Sequence, residues 1–563
     1  MIRLFEQHRI RNVQELDGIW KFKKEESDKT YDLPVPGCWE QHPELLAYRG
    51  KGVYTRTVNV LNKGNIRLVF KGVSHTGKIY WDGKYVGQHY NAFTPFCITV
   101  KNVLPGTHEI SVFVDNSFGA HSALHVPNDY YTYGGITRPV AMEMVHDVFI
   151  KNIRFTPAME GDHWIADIEI IVENLADSSQ RCSVECCLMD QEGKQHAGMD
   201  NVSGEMEINA GEVKIIHFRQ EFKGVNAWSI ESPCLYLLQA CLMKQGKIED
   251  DLIERVGFRR VEVKGNKILI NGNEVFLKGF NRHEDYGDFG CAIPLQMMAK
   301  DMDMIQEMGA NAVRTCHYPN EERFLDLCDE RGILVWEENH ARGLSLPDMQ
   351  NLNFDRQCED CIREMIENHY NHPSIIIWGI LNECASETKE GREKYKQQYK
   401  QIKSMDRSPP TTSATCRHFT DISLDLPDIV SFNMYSGWYQ DVSVEERNRK
   451  EIDWIQSSGG EGKPIIVSEL GAAAIYGYRD RSRCKWSEER QADIIEENLH
   501  VYMNDPDITG VFIWQFADCR VTEEGGWFAT RARCHNNKGV VDEYRRPKMA
   551  YDTIKKIFES FKK

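Results

Sequence analysis

From residue 1 to about 145, apolar and polar positions alternate in short runs, as in Ile66-Arg-Leu-Val-Phe70 and Glu109-Ile-Ser-Val-Phe-Val114. Turn residues separate these runs: Gly18, Pro36-Gly37, Lys63-Gly64, Asp82-Gly83 and Pro105-Gly106. A period of two broken by such turns predicts half-buried strands stacked as a jelly roll or β-sandwich. The rhythm continues from 146 to 257, in Trp164-Ile-Ala-Asp-Ile-Glu-Ile-Ile-Val172, Arg181-Cys-Ser-Val-Glu-Cys-Cys-Leu188 and Val213-Lys-Ile-Ile-His-Phe218. This second stretch predicts an immunoglobulin-like β-sandwich without the disulfide of antibody domains. After residue 258 the pattern changes. Apolar runs at 275–280, 312–315, 334–338, 375–381, 411–415, 429–434, 465–468 and 511–516 alternate with longer stretches. Those at 294–309, 323–332, 355–369 and 488–503 are amphipathic at helical spacing. Eight strands alternating with helices predict a (β/α)8 barrel, whose active site lies where the strands end. The expected fold is therefore multidomain: a jelly roll over 1–145, an immunoglobulin-like sandwich over 146–257, and a TIM barrel over 258–563.

Composition narrows the partners. The 563 residues exceed one ordinary domain, and 41% hydrophobic residues supply ample core. The net charge of −17 disfavours nucleic acid and anionic membranes as partners. The longest apolar runs are strand-sized, too short to span a bilayer. Met1-Ile-Arg-Leu-Phe-Glu-Gln-His-Arg-Ile-Arg11 has no apolar core of a signal peptide. The 17 cysteines are scattered and odd in number, and Cys358/Cys361 is a lone CxxC in a charged stretch. Free thiols in a reducing cytoplasm are the expectation.

The chemistry gathers at the strand ends. Ser374-Ile-Ile-Ile-Trp-Gly-Ile-Leu-Asn-Glu383 and Pro464-Ile-Ile-Val-Ser-Glu469 are both β-branched runs ending in a carboxylate. Two carboxylates converging on one pocket are the minimum equipment for glycoside hydrolysis. Glu383 is the candidate acid/base, so its pKa has to be raised by burial or a nearby negative charge. Asn382 beside it could donate to a sugar 2-hydroxyl. Glu469 is the candidate nucleophile, expected to be kept ionised by donors such as Tyr435. Asn536-Asn-Lys538-Gly follows the last strand; it is either a solvated polar turn or a carboxylate clamp. Its neighbourhood favours the clamp. Arg520, Arg531, Arg533, Lys538, Arg545, Arg546 and Lys548 outnumber Glu523, Glu524, Asp542 and Glu543, a local net charge of +3 in an acidic chain. Tyr435-Ser-Gly-Trp-Tyr439, Trp514 and Trp527 offer aromatic faces on which sugars stack, although such residues also serve as packing. His283, His317 and His340 could suggest a metal-dependent hydrolase. The first strand carries a single His rather than His-x-His, so no metal is expected.

These motifs resemble glycoside hydrolase family 2. The resemblance rests on Val256-Gly-Phe-Arg259, Gly279-Phe-Asn-Arg-His-Glu-Asp285, Arg314-Thr-Cys-His-Tyr-Pro319, His372-Pro-Ser-Ile-Ile-Ile-Trp378, Asn382-Glu383 and Ser468-Glu469. It covers nearly the whole chain. Within the family the chain looks like the bacterial β-glucuronidase group. Asn536-Asn-Lys538-Gly matches that group's glucuronate clamp, Asn433-Met-Tyr-Ser-Gly-Trp-Tyr439 its sugar-contacting segment, and Asn128-Asp129-Tyr130 the loop that delivers an Asp to the sugar. The resemblance implies a retaining exo-β-D-glucuronidase with Glu383 as acid/base and Glu469 as nucleophile. It implies a sugar site of Asp129, His283, Asn382, Asn433, Tyr435, Tyr439, Trp514, Asn536 and Lys538. It further implies small β-glucuronides or oligosaccharide ends as substrates, a homo-dimer or tetramer, and no cofactor for catalysis. Some relatives in the group bind a flavin nucleotide (FMN) away from the catalytic centre, and no motif here decides that point. The chain departs from the group at Cys384, where many relatives have Pro. Its 338–355 segment is short and lacks a long active-site loop, so a wider mouth is expected. The competing readings are another family 2 exo-glycosidase, a β-galactosidase or β-galacturonidase, and a non-catalytic carbohydrate-binding protein.

Overall fold

The computed structural model describes residues 2–195, 201–523, 526 and 530–561. Its first unit is a jelly roll of two antiparallel sheets. One sheet orders Asn12–Glu15, Val140–Val145, Gly64–Phe70 and Phe96–Val103. The other orders Thr30–Val35, Gly18–Lys24, Lys51–Val60, Gly106–Asp115, Thr76–Trp81 and Lys84–Tyr90. Alternate residues of both sheets, among them Trp20, Phe22, Tyr54, Phe70 and Val112, pack into one core. The period-two pattern of the sequence is this inward and outward alternation.

The second unit is an immunoglobulin-like sandwich. Val148–Glu160, His163–Asn174 and Val213–Phe222 form one sheet, and Gln180–Met189, Tyr236–Lys244 and Lys247–Val256 the main strands of the other. Ile153, Phe155, Ile168, Val184, Leu238 and Phe258 fill the space between them. Cys182 and Cys186 are buried in that core as small apolar side chains. All 17 cysteines of the protein are free thiols.

The third unit is a closed parallel barrel. Its strands are β1 (Leu277–Arg282), β2 (Ala312–Thr315), β3 (Leu334–Glu338), β4 (Ile375–Gly379), β5 (Thr411–Thr412 continued as Ala414–Thr415), β6 (Val430–Asn433), β7 (Ile465–Leu470) and β8 (Ile508–Ile513). Each pairs with its sequence neighbour, and β1 pairs with β8. The ladder closes at β5, whose first half meets β4 and second half β6. Along each strand one residue faces the lumen and the next the helices. Ala312, Leu334, Trp336, Ile466 and Phe512 fill the lumen, while Val313, Val335, Val467 and Val511 meet the outer helices. Strands buried on both faces read as continuous apolar runs for this reason. The N-terminal end of the lumen is plugged by Trp228 and by the hairpin of Val261–Lys264 and Lys267–Ile270. The C-terminal end is left for polar side chains. A loop over 416–429, rather than a helix, joins β5 to β6, and only its first residues lie at that end. Among the described residues, no helix is long and apolar enough to cross a membrane.

Candidate active site

A cavity of about 380 Å³ opens at the C-terminal end of the barrel. Glu383, Glu469, Asn433, Tyr435, Tyr439, Trp514, Lys538 and Asp129 line it, together with Arg342, Cys416, His418, Met434, Gln440 and Arg531. Glu469 sits near the end of β7. Glu383 lies four residues past the end of β4, where the chain turns sharply: Leu381 has φ +48° and Glu383 φ +55°. Left-handed backbone is costly for side chains of this size and is characteristic of functional positions. Asn339 Oδ1 accepts from Leu381 N at 3.1 Å, and Ala414 O accepts from Glu383 N at 2.9 Å, so the turn is tied to β5 and to the end of β3.

Beneath the two carboxyls lies one buried guanidinium. Arg314 on β2 donates to Glu469 at 3.0 Å, to both oxygens of Glu338 at 2.9 and 3.0 Å, to Asn281 at 3.0 Å and to Asn382 at 2.8 Å. Its plane rests on the Trp336 ring, 4.6 Å from the centroid. A fixed fork with five donors can hold several acceptors at once, which an ammonium cannot do with the same geometry. Tyr435 OH donates to the other Glu469 oxygen at 2.6 Å. Burial, then the Glu469 charge, keeps the Tyr435 hydroxyl far above its usual range, so it remains a donor. Glu383 accepts from Asn433 Nδ2 at 2.8 Å, and Arg342 lies 3.5 Å from its second oxygen.

Burial, then the negative charge of Glu383, pushes Glu469 up to about 7, while Arg314, Tyr435 and Arg342 pull against the rise. Tyr435, expected to help keep Glu469 ionised, acts in that direction, but burial and Glu383 outweigh it.

At the far side of the cavity lies a cationic corner. Lys538 is buried, with its ammonium 5.3 Å from the Tyr439 ring centroid and 5.7 Å from that of Tyr435. Among the described residues, no carboxylate lies within ion-pairing distance of it. Burial, then the Arg531 cation, holds the Lys538 ammonium below its usual value. Burial alone would push the Tyr439 hydroxyl up, but Lys538 and Arg531 outweigh it and hold it below its usual value.

Not every expected residue faces the cavity. Asn536 is buried and gives one amide hydrogen to Asp129 at 2.9 Å. Arg531 grips the same carboxylate through two bonds of 3.0 and 2.5 Å. Asp129 is thus delivered from the jelly roll and clasped by two barrel residues. Asn382 lies behind the cavity wall; its oxygen accepts from Arg314 and Asn433, and its Nδ2 is buried without a partner. His283 is also behind the wall, edge-on to Trp514 at 5.4 Å, with Nε2 unpartnered. Trp527 lies outside the described residues. Sequence reading passed over Arg342 and did not single out Arg531 within the basic stretch. The signal for Arg531 was its place five residues before Asn536.

Two buried groups have the donor types of a metal site: His283, Cys316 and His317 beside the cavity, and Asp326, Asp329 and His372 further down. The second is already neutralised, because Arg3 donates twice to Asp326, at 3.0 and 2.8 Å, and Asp329 accepts from His372. In the first, burial holds His283 near 3 and His317 well below its usual value, so both imidazoles are neutral.

Comparison with known proteins agrees with this architecture. The chain matches the models for the family 2 glycosyl hydrolase sugar-binding domain over 16–145, the family 2 central domain over 148–259 and the family 2 TIM barrel domain over 261–563. The protein belongs to glycosyl hydrolase family 2. This family 2 glycosidase is 27% identical to a β-glucuronidase of Streptococcus agalactiae, over 97% of this chain and 96% of that one. It is also 27% identical to human β-glucuronidase, over 96% and 90%. A family 2 β-galacturonidase from Eisenbergiella tayi, solved with galacturonate, superposes with a TM-score of 0.96 at 49% identity over 100% of both chains. A β-D-glucuronidase from Dictyoglomus thermophilum superposes at 0.84 with 25% identity, over 100% of this chain and 99% of that one.

Proposed function

We propose that the protein is a retaining exo-β-D-uronidase. The observation that carries this reading is Lys538: a buried ammonium with no carboxylate in ion-pairing distance among the described residues, in the same cavity as two carboxyls. Holding a lone cation out of water is costly unless a ligand supplies the counter-charge. A C6 carboxylate would do so, and a neutral hexose would not. The cavity volume suits one sugar ring rather than a long groove.

In the scheme, Glu469 attacks the anomeric carbon while Glu383 protonates the glycosidic oxygen. The aglycone leaves and an ester links the sugar to Glu469. Glu383, now ionised, takes a proton from water as the water attacks the anomeric carbon, and Glu469 is released with net retention. Arg314 and Tyr435 stabilise the Glu469 carboxylate as it leaves.

The preferred substrate in this reading is a β-D-galacturonide, supported by the 49% identity to the Eisenbergiella tayi β-galacturonidase over the full chain. A β-D-glucuronide is the second reading, supported by the bacterial and mammalian β-glucuronidases at 25–28% identity. The two sugars differ only in the configuration at C4. Initial rates on aryl β-D-galacturonide, β-D-glucuronide and β-D-galactoside separate the readings. Galactoside cleaved as well as either uronide would defeat the uronidase assignment.

A further inference from the structure

Where the jelly roll meets the barrel, two thiols face each other. The sulfur atoms of Cys38 and Cys291 are 3.6 Å apart, although 253 residues separate them along the chain. Cys38 belongs to a jelly-roll turn, and Cys291 to the loop that follows β1 at the cavity end of the barrel. Tyr131, Tyr133 and Ala292 pack around the pair. The same jelly-roll turn clasps the loop that carries Asp129. Trp39 N donates to Gly134 O at 2.9 Å, and the Glu40 carboxylate accepts from Gly134 N at 3.0 and 3.1 Å. From the other side, Tyr133 OH donates to Asp285 on the barrel at 2.9 Å. The backbones approach closely here: a side chain at Gly134 would lie 2.0 Å from the Trp39 ring, and one at Gly290 3.0 Å from the Cys38 sulfur. The backbones that carry the two thiols are therefore held side by side by contacts from both domains. Neither takes part in the glycosidase scheme.

We propose that Cys38 and Cys291 are an oxidation site, at which a peroxide forms a disulfide that staples the jelly roll to the barrel beneath the Asp129 loop. Cys38 is buried, whereas Cys291 is partly exposed, so the oxidant meets Cys291 first. The Cys291 thiolate attacks hydrogen peroxide, the O–O bond breaks, and a sulfenic acid and hydroxide result. The Cys38 sulfur then attacks the sulfenic sulfur, the S–O bond breaks, and water leaves with the Cys38 proton. In sum, two thiols lose two electrons and two protons, and one peroxide becomes two waters. A disulfide has sulfurs about 2.05 Å apart, so the pair must close by about 1.5 Å, within the reach of side-chain rotation. The bond closes a very long loop, which restricts the unfolded chain and should slow thermal inactivation.

The test uses the full-length protein with stoichiometric hydrogen peroxide, followed by alkylation and peptide mapping without reductant. The expected result is a peptide linking Cys38 to Cys291 that dithiothreitol releases. It should be absent from Cys38→Ser and Cys291→Ser and present in Cys234→Ser. The half-life of activity on heating should lengthen by about two-fold or more in oxidised wild type and return on reduction. If Cys38→Ser does not fold, Cys291→Ser on the partly exposed loop carries the comparison. Both cysteines still alkylated after peroxide, or Cys291 over-oxidised with Cys38 free, would overturn the proposal.

Discussion

Replacing Lys538 by Met removes the charge and keeps most of the volume, and its cost can be worked from the surroundings. The ammonium is buried, with no carboxylate in ion-pairing distance among the described residues, so the substrate carboxylate would supply its counter-charge. A charge-assisted hydrogen bond of this kind contributes roughly 1.5–3 kcal/mol. Two charges about 4 Å apart attract by about 4 kcal/mol at an effective dielectric of 20, which sets an upper bound. At about 1.4 kcal/mol per decade, kcat/KM for a uronide should fall on the order of 10- to 1000-fold. The matching hexoside has no carboxylate, so its slow cleavage should stay level or improve. The fold should not suffer. Removing an ammonium whose charged state burial disfavours should leave the melting temperature level or raise it, set against the loss of the Tyr435 and Tyr439 cation–π contacts and of the hydrogen bond to Tyr439. The assay is kcat/KM for aryl galacturonide, glucuronide, galactoside and glucoside on wild type and Lys538→Met, with a thermal melt of each. An equal drop on all four substrates together with a lower melting temperature would refute the reasoning, because Lys538 would then be supporting the structure.

The remaining predictions concern the carboxyls and metal. Glu469→Gln should abolish turnover, and it should stabilise the protein above pH 7, where an ionised carboxyl raised from 4.5 to about 7 costs about 3 kcal/mol. The native state holds that proton longer than the unfolded chain, so the destabilisation appears as pH rises through 4.5 to 7 and should vanish at pH 4; melts at both pH values check the sign. Glu383→Gln should cripple substrates with poor leaving groups while sparing the first step for activated aryl uronides, and wild-type product should keep the β configuration in early NMR spectra. Because the Glu383 charge is the second largest cause of the Glu469 rise, Glu383→Gln should move the acidic limb of kcat/KM to lower pH; an unmoved limb would place that ionisation elsewhere. The scheme needs only carboxyls, so EDTA should leave kcat/KM unchanged, and a loss restored by a divalent ion would bring in His283, Cys316 and His317.

The barrel strands were legible because each is a local signal. Val335 and Trp336, or Val467 and Glu469, announce a buried strand and its polar tip within a few residues, and a period of two or 3.6 needs no knowledge of the partner. The two glutamates were legible for the same reason. Residue types could also be named for the clamp, since Lys538 stands in a short motif. What those residues touch was not legible. Asp129 meets Arg531 across 402 residues and Asn536 across 407, and nothing local to either end marks the other. Asn536, expected to reach the ligand, gives one amide hydrogen to that contact. Arg314 joins β1, β3, β4 and β7 at their ends only because the barrel closes. The rise at Glu469 arises from burial and from Glu383, and both depend on which side chains the closed barrel brings together. Periodicity and turn chemistry live in neighbouring residues, so the chain displays them directly. Ion pairing and desolvation are set by distance in space, and they exist only once the three domains have folded against one another.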